Sequence, residues 1–125
     1  MVTRPASSLG HAPDKWEVQI RKGCLELAIL AAQWSKPRYG LEIIRWLDQQ
    51  TGLIVPEGTV YPLLSRLKAD GLVASEWVEA EQGHPRKYYR LTDSGRRRVL
   101  EMARFWKTFS NSLDRLLKPI RKGGR

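Results

Sequence analysis

Between residues 24 and 34 the chain is apolar at every position except Glu26 and Gln33. Trp16, Ile20, Leu27, Ala31 and Trp34 recur at helical spacing, and Asp14 with Glu17 three residues on forms a capping-box pattern. A first helix is therefore predicted from residue 14 to about residue 34. A helix that apolar around most of its girth needs cover on more than one side, and in so small a chain a second copy is the expected source. Pro37 suits the first turn of a second helix. Leu41, Ile44 and Leu47, with Ile43 beside them, give that helix its inward face, and Gly52 ends it. After a connector at 53–56, Val60, Leu63, Leu64 and Leu67 mark one side of a third helix. Its other side carries Gly58, Pro62, Ser65 and Ala69, flanked by Thr59, Tyr61, Arg66 and Lys68. Pro62 is tolerated only in a first turn, so the regular helix is expected to start as late as Thr59.

Residues 72–79 and 87–91 have strand-type composition and are separated by a Gly/Pro turn, Gln82-Gly83-His84-Pro85, which predicts a hairpin. Tyr88 and Tyr89 alternate faces in the returning strand, so one is expected in the core and at most one in solvent. Thr92 then caps a last helix in which Val99, Met102, Trp106, Phe109, Leu113 and Leu116 recur at steps of three and four. That period of 3.5 predicts a coiled-coil seam between two chains, with Trp16 and Ile20 of the first helix assisting. The expected fold is mainly α with a small β hairpin (α+β). Residues 1–13 are expected to form a loose tail, 14–92 a winged helix-turn-helix domain, 93–117 a dimerisation helix and 118–125 a basic, frayed end.

The charge balance narrows the partners. Twenty-two Lys and Arg against thirteen Asp and Glu give a net charge of +9 over 125 residues, which favours an anionic partner, nucleic acid before an acidic membrane. No apolar stretch reaches the roughly 18 residues of a membrane span, and no export signal opens the chain, so no membrane role is expected. The single cysteine, Cys24, excludes an internal disulfide and fits a reducing cytoplasm. It stands at the edge of an apolar run with no base beside it and is expected to be a buried thiol. Catalysis has little support: His11 and His84 lie in different segments without a metal-ligand spacing, and no phosphate-binding glycine loop is present. Neither a metal nor another cofactor is expected.

A helix joined to such a hairpin is the plan of a winged helix-turn-helix, which lays the helix in a DNA major groove. Thr59, Tyr61, Ser65 and Arg66 are then candidates for base edges or flanking phosphates, against the plainer reading that Tyr61 packs on the hairpin and Ser65 is merely solvated. His84, Arg86 and Lys87 at the hairpin tip are candidates for phosphates or a narrow minor groove. Tyr39 can donate to a phosphate or pack half-buried. Glu76, Glu79 and Glu81 would repel phosphates and must point away or pair with Arg86 and Lys87. Arg96, Arg97 and Arg98 oppose the dipole of the last helix, which invites either phosphate contact or a partner's carboxylates, with simple solubility equally open. Two other readings of the same residues stay open: a winged-helix module that grips another protein, and an architectural DNA binder without sequence preference.

The order of these elements and their residues resembles the PadR family of bacterial transcriptional regulators, over about residues 20–117. The resemblance is carried by Lys22-Gly23 with Leu25-Glu26-Leu27, by Tyr39-Gly40 before Glu42-Ile43, and by Glu57-Gly58-Thr59-Val60-Tyr61-Pro62. Arg66-Leu67 before Gly71-Leu72, and Gly83-His84-Pro85-Arg86-Lys87-Tyr88-Tyr89-Arg90-Leu91-Thr92 ahead of Gly95, complete it. The single C-terminal helix is similar to that of the small members. The resemblance implies a homodimeric repressor in the bacterial cytoplasm, bound to double-stranded DNA and released by a small ligand. It also implies an effector cavity between the chains for a small aromatic or hydrophobic molecule, with Trp106 in the place of the tryptophan that forms that site. Trp34, Phe105 and Phe109 are the other aromatics placed to line it.

Overall fold

The computed structural model describes residues 14–80 and 83–123. The expected tail at 1–13, with His11, lies outside the described residues, as do Glu81, Gln82 and residues 124 and 125. Helix α1 (Lys15–Ala31) is followed by a two-residue strand β1 (Arg38–Tyr39) and helix α2 (Gly40–Thr51). Helix α3 (Glu57–Ala69), strands β2 (Val73–Val78) and β3 (Arg86–Leu91), and helix α4 (Asp93–Gly123) complete the order. The three strands form an antiparallel sheet in the order β1-β3-β2. The α+β expectation holds, with a third strand added to the hairpin.

Asp14 caps α1 as expected, its Oδ1 accepting the Glu17 N–H at 2.9 Å. The helix ends sooner than its apolar run. Ala32 is its C-cap, and Gln33 and Trp34 fall in the turn beyond. Arg38 explains why the chain leaves the helix here: its Nε donates to the Ala32 carbonyl at 2.6 Å, and its guanidinium lies 3.7 Å from Glu42 and 4.8 Å from the centre of the Trp46 ring. A buried guanidinium needs such partners, because an unpaired buried charge is strongly destabilising. Pro37 therefore precedes β1 rather than opening α2, whose N-cap is Tyr39. Gly52 closes α2 in the left-handed region at φ 72°, as its place in the sequence predicts.

Ile29, Leu30, Ile43, Leu47, Val60, Leu64 and Leu67 from the first three helices make the centre of the core. Val73, Tyr89 and Leu91 close it from the sheet and Val99 from α4. Of the predicted inward face of α2, Ile43 and Leu47 are buried while Leu41 and Ile44 are only half-buried. Thr92 fastens α4 to the end of α3. Its hydroxyl donates to the Gly71 carbonyl at 2.6 Å and accepts the Gly95 N–H at 3.0 Å, while its own N–H bonds the Leu72 carbonyl at 3.1 Å. Helix α4 then runs on to Gly123, through Pro119, so the expected frayed end is helical as far as that residue. Among the described residues, no helix is long and apolar enough to cross a membrane.

Candidate nucleic-acid interface

Helix α3 buries Val60, Leu64 and Leu67 and leaves Gly58, Thr59, Tyr61, Pro62, Ser65, Arg66, Lys68 and Ala69 exposed. It begins at Glu57 with Pro56 as N-cap, two residues earlier than Thr59. Pro62 is consequently inside the helix, where its ring nitrogen cannot bond the Gly58 carbonyl. Both residues are exposed, so water is available to that carbonyl. The small and polar surface required of a groove helix is present. Two of its members are nonetheless engaged within the chain. Arg66 Nη2 donates to Glu26 Oε1 of α1 at 2.8 Å. Tyr61 packs over Gly40 at the start of α2, where only a glycine leaves room for the ring. Desolvation by burial raises the Tyr61 phenol above its ordinary value, with the Glu57 carboxylate adding to the effect. Burial, and next the neighbouring Tyr61, likewise raise Tyr89. Both hydroxyls therefore remain protonated donors at neutral pH.

Strands β2 and β3 pair from Val73↔Leu91 to Val78↔Arg86. Strand alternation sends Val73, Tyr89 and Leu91 towards α3 and puts Glu76, Arg86, Tyr88 and Arg90 on the outer face with Tyr39 of β1. The alternation expected of Tyr88 and Tyr89 is met, with Tyr89 buried and Tyr88 half-buried. On the outer face the Arg86 guanidinium lies 4.5 Å above the Tyr39 ring, which in turn meets Tyr88 edge-on at 5.4 Å. Lys87 projects on the other side, next to Trp77 and Tyr89. His84 is exposed in the turn. The predicted wing residues thus split: Arg86 with Tyr39 on one face, Lys87 on the other, His84 at the tip. Glu76 stands across from Tyr88 on the outer face, turned from α3, with Arg86 and Arg90 as its diagonal neighbours in register.

Arg96 stacks on Trp34 at 4.8 Å and donates to the Trp34 carbonyl at 3.1 Å. Arg97 bonds the Ser94 hydroxyl, and Arg98 pairs with Glu101 at 3.4 Å. This arrangement gives the arginine triplet intramolecular work that the sequence did not disclose. It also holds Trp34 at the end of α1.

A groove of about 570 Å³ runs between α1 and α4. Ile20, Cys24 and Leu27 form one wall, and Met102, Phe105, Trp106 and Phe109 the other. Phe105 and Phe109 stack at 5.6 Å, with Trp106 tilted against Phe109 at 6.4 Å. Three of the four aromatics expected around an effector meet here, and Trp34 is not among the lining residues. Cys24 is half-buried in the wall rather than fully enclosed. Of the six seam residues, Val99 and Met102 pack on the core of their own domain. Trp106, Phe109, Leu113 and Leu116 are exposed, as are Trp16 and Ile20. Among the described residues, no cluster of His, Cys, Asp and Glu could hold a metal ion.

A family model described as the PadR-like family of transcriptional regulators matches residues 27–101. The fold is similar to a PadR-like transcription factor from Bacteroides fragilis, 44% identical, with a TM-score of 0.68 over 82% of this chain and 99% of that one. A PadR family transcriptional regulator from Eggerthella lenta is 34% identical, with a TM-score of 0.74 over 82% of this chain and 88% of that one. A transcriptional regulator of Mycobacterium tuberculosis is 44% identical over 59 residues, which are 45% of this chain and 54% of that protein.

Proposed function

The chain belongs to the PadR-like family of transcriptional regulators, and we infer from this that it is a homodimeric repressor reading an inverted repeat. Membership makes it a DNA-binding regulator rather than an enzyme. The finer reading rests above all on one observation: an exposed, small and polar face of α3 lies beside a hairpin carrying Arg86, Lys87 and His84. With α3 in the major groove, Thr59, Tyr61 and Ser65 contact base edges or phosphates, and Arg66 does so once it exchanges Glu26 for a phosphate. His84, Arg86 and Lys87 follow the backbone into the adjacent minor groove, and Tyr39 donates to a phosphate from beside Arg86.

In this reading residues 14–92 form the DNA-binding unit and 93–117 the dimerisation helix, whose exposed seam joins two copies with Trp16 and Ile20. That arrangement sets two α3 helices about 34 Å apart, one turn of duplex. A small aromatic or hydrophobic effector enters the α1–α4 groove against Phe105, Trp106 and Phe109. It favours a different separation of the reading helices and so releases the DNA. The protein acts in the bacterial cytoplasm by occupying a promoter.

Fluorescence anisotropy on the DNA upstream of its own gene, against an unrelated duplex, tests the reading. Preferential binding with a log–log salt slope near −7, from about eight phosphate contacts per dimer, is the expected result. Equal affinity for every duplex would make it an architectural binder. A slope near zero with folded protein would point to a protein-gripping module instead.

A further inference from the structure

Trp77 and Lys87 face each other across the β2–β3 ladder, one residue pair from the turn. The indole is 68% exposed. Lys87 Nζ lies 5.9 Å from the centre of that ring and 5.8 Å from the centre of Tyr89. Alternation puts both side chains on the sheet face of Val73, Tyr89 and Leu91, the face that packs on α3. Trp77 therefore extends that face past the last core contact, on the same side of the sheet as the groove helix. The outer-face cluster of Arg86, Tyr39 and Tyr88 is separated from it by the thickness of the sheet.

We propose that Trp77, beside Lys87, adds a sequence-independent contact of its own to the duplex that α3 reads. The proposal rests on the functional reading above. The indole lies against deoxyribose on the wall of the minor groove beside α3, and the ammonium takes the neighbouring phosphate. Three features favour DNA as the occupant. The chain carries a net charge of +9, which complements a polyanion. A lysine stands directly beside the ring, so the apolar contact and the charge contact are offered together. Trp77 is also on the sheet face that packs on α3, so it is offered on the same side of the wing as the reading helix. Contacts to phosphate and sugar position a protein without reading bases. None of this was legible in the sequence, where Trp77 reads as one more apolar residue of a strand.

Anisotropy with Trp77→Ala, Trp77→Phe and Lys87→Gln on the operator and on an unrelated duplex tests the contact. Trp77→Ala is expected to weaken both duplexes by about ten-fold at each half-site, roughly a hundred-fold for the dimer, since covering much of a large apolar side chain is worth on the order of 1.5 kcal/mol. It should leave the salt slope unchanged, and Trp77→Phe should recover most of the loss. Lys87→Gln is expected to reduce the slope by about 2 per dimer, one phosphate on each half-site. Sedimentation of each variant accompanies the titrations. Unaltered affinity of Trp77→Ala on both duplexes, with normal wild-type binding, overturns this contact alone. So does a loss that appears only together with a change in oligomeric state, which would make the indole a protein contact. A wild-type protein that ignores both duplexes overturns the functional reading and this contact with it.

Discussion

Gly95 is buried where α4 starts, and a Cβ there would overlap the Leu72 carbonyl oxygen. That oxygen already accepts the Thr92 N–H, and the Gly95 N–H is itself bound by the Thr92 hydroxyl. The hardest collision is with the Leu72 backbone, so no rotamer change relieves it. Gly95→Ala is expected to cost about 2–3 kcal/mol, the upper part of the range for overpacking. A lower urea midpoint at constant m-value would register it. Gly40 is different: the three nearest atoms that a Cβ there would meet all belong to Tyr61, a side chain that can swing outward. The cap at Thr92 was legible because capping is local. The need for Gly95 was not, because its neighbour Leu72 comes from the far side of the hairpin. The same limit hid Arg66, which has the composition of a DNA contact but meets Glu26 across two helices. An exposed pair of this kind contributes only about 0.2–1 kcal/mol, so a phosphate can displace the carboxylate at little cost. Arg96 and Trp34 tell a similar story. The triplet at 96–98 stood out for opposing a helix dipole, yet its first member bonds the turn that α1 leaves behind.

Among the elements, those with a period of several turns were read well. The bodies of α2 and α3, the hairpin and the first turns of α4 lie where apolar spacing puts them, although α2 starts three residues after Pro37 and α3 two before Thr59. What failed has a common physical cause. A two-residue strand such as β1 has no periodicity to detect, and it forms because Arg38 and Tyr39 pair with Tyr89 and Tyr88 far along the chain. The apolar stretch through Trp34 looked helical to its end, but Arg38 takes the Ala32 carbonyl and turns the chain away. Treating Pro62 as a breaker gives it too much authority, since it stands inside a helix. For Pro62 this has a measurable consequence. A proline in a helix interior is about 3 kcal/mol less favourable than alanine, and here the freed Gly58 carbonyl is in water. Pro62→Ala is therefore expected to stabilise the protein by about 1–3 kcal/mol in a denaturant titration. No gain, or a loss, would mean that the ring makes a contact on α3 that offsets its missing N–H.

At the scale of the whole molecule, the apolar stripe of α4 serves two masters. Val99 and Met102 are taken up by the domain that α4 leaves, whereas Trp106, Phe109, Leu113 and Leu116 stay between 37% and 71% exposed, Trp106 and Phe109 being partly covered by α1 across the groove. Burying a large apolar side chain contributes roughly 1.5–3 kcal/mol. These side chains are already about half covered, so four per protomer in two protomers give about 6–12 kcal/mol as an upper bound. Association costs on the order of 4–15 kcal/mol, a range that the proposed seam reaches with Trp16 and Ile20 of α1 contributing. Leu113 and Leu116 are the sharpest probes because neither belongs to the core. The double variant Leu113→Glu, Leu116→Glu is expected to keep the helical circular dichroism of the wild type while sedimenting as a monomer. Each half-site is then bound alone, and losing the linkage between the two should weaken operator binding by roughly a hundred-fold or more. Binding to a single half-site should change little. A variant that remains dimeric would move the interface off α4. A monomer that still binds the full operator at wild-type strength would remove the need for two reading helices at all.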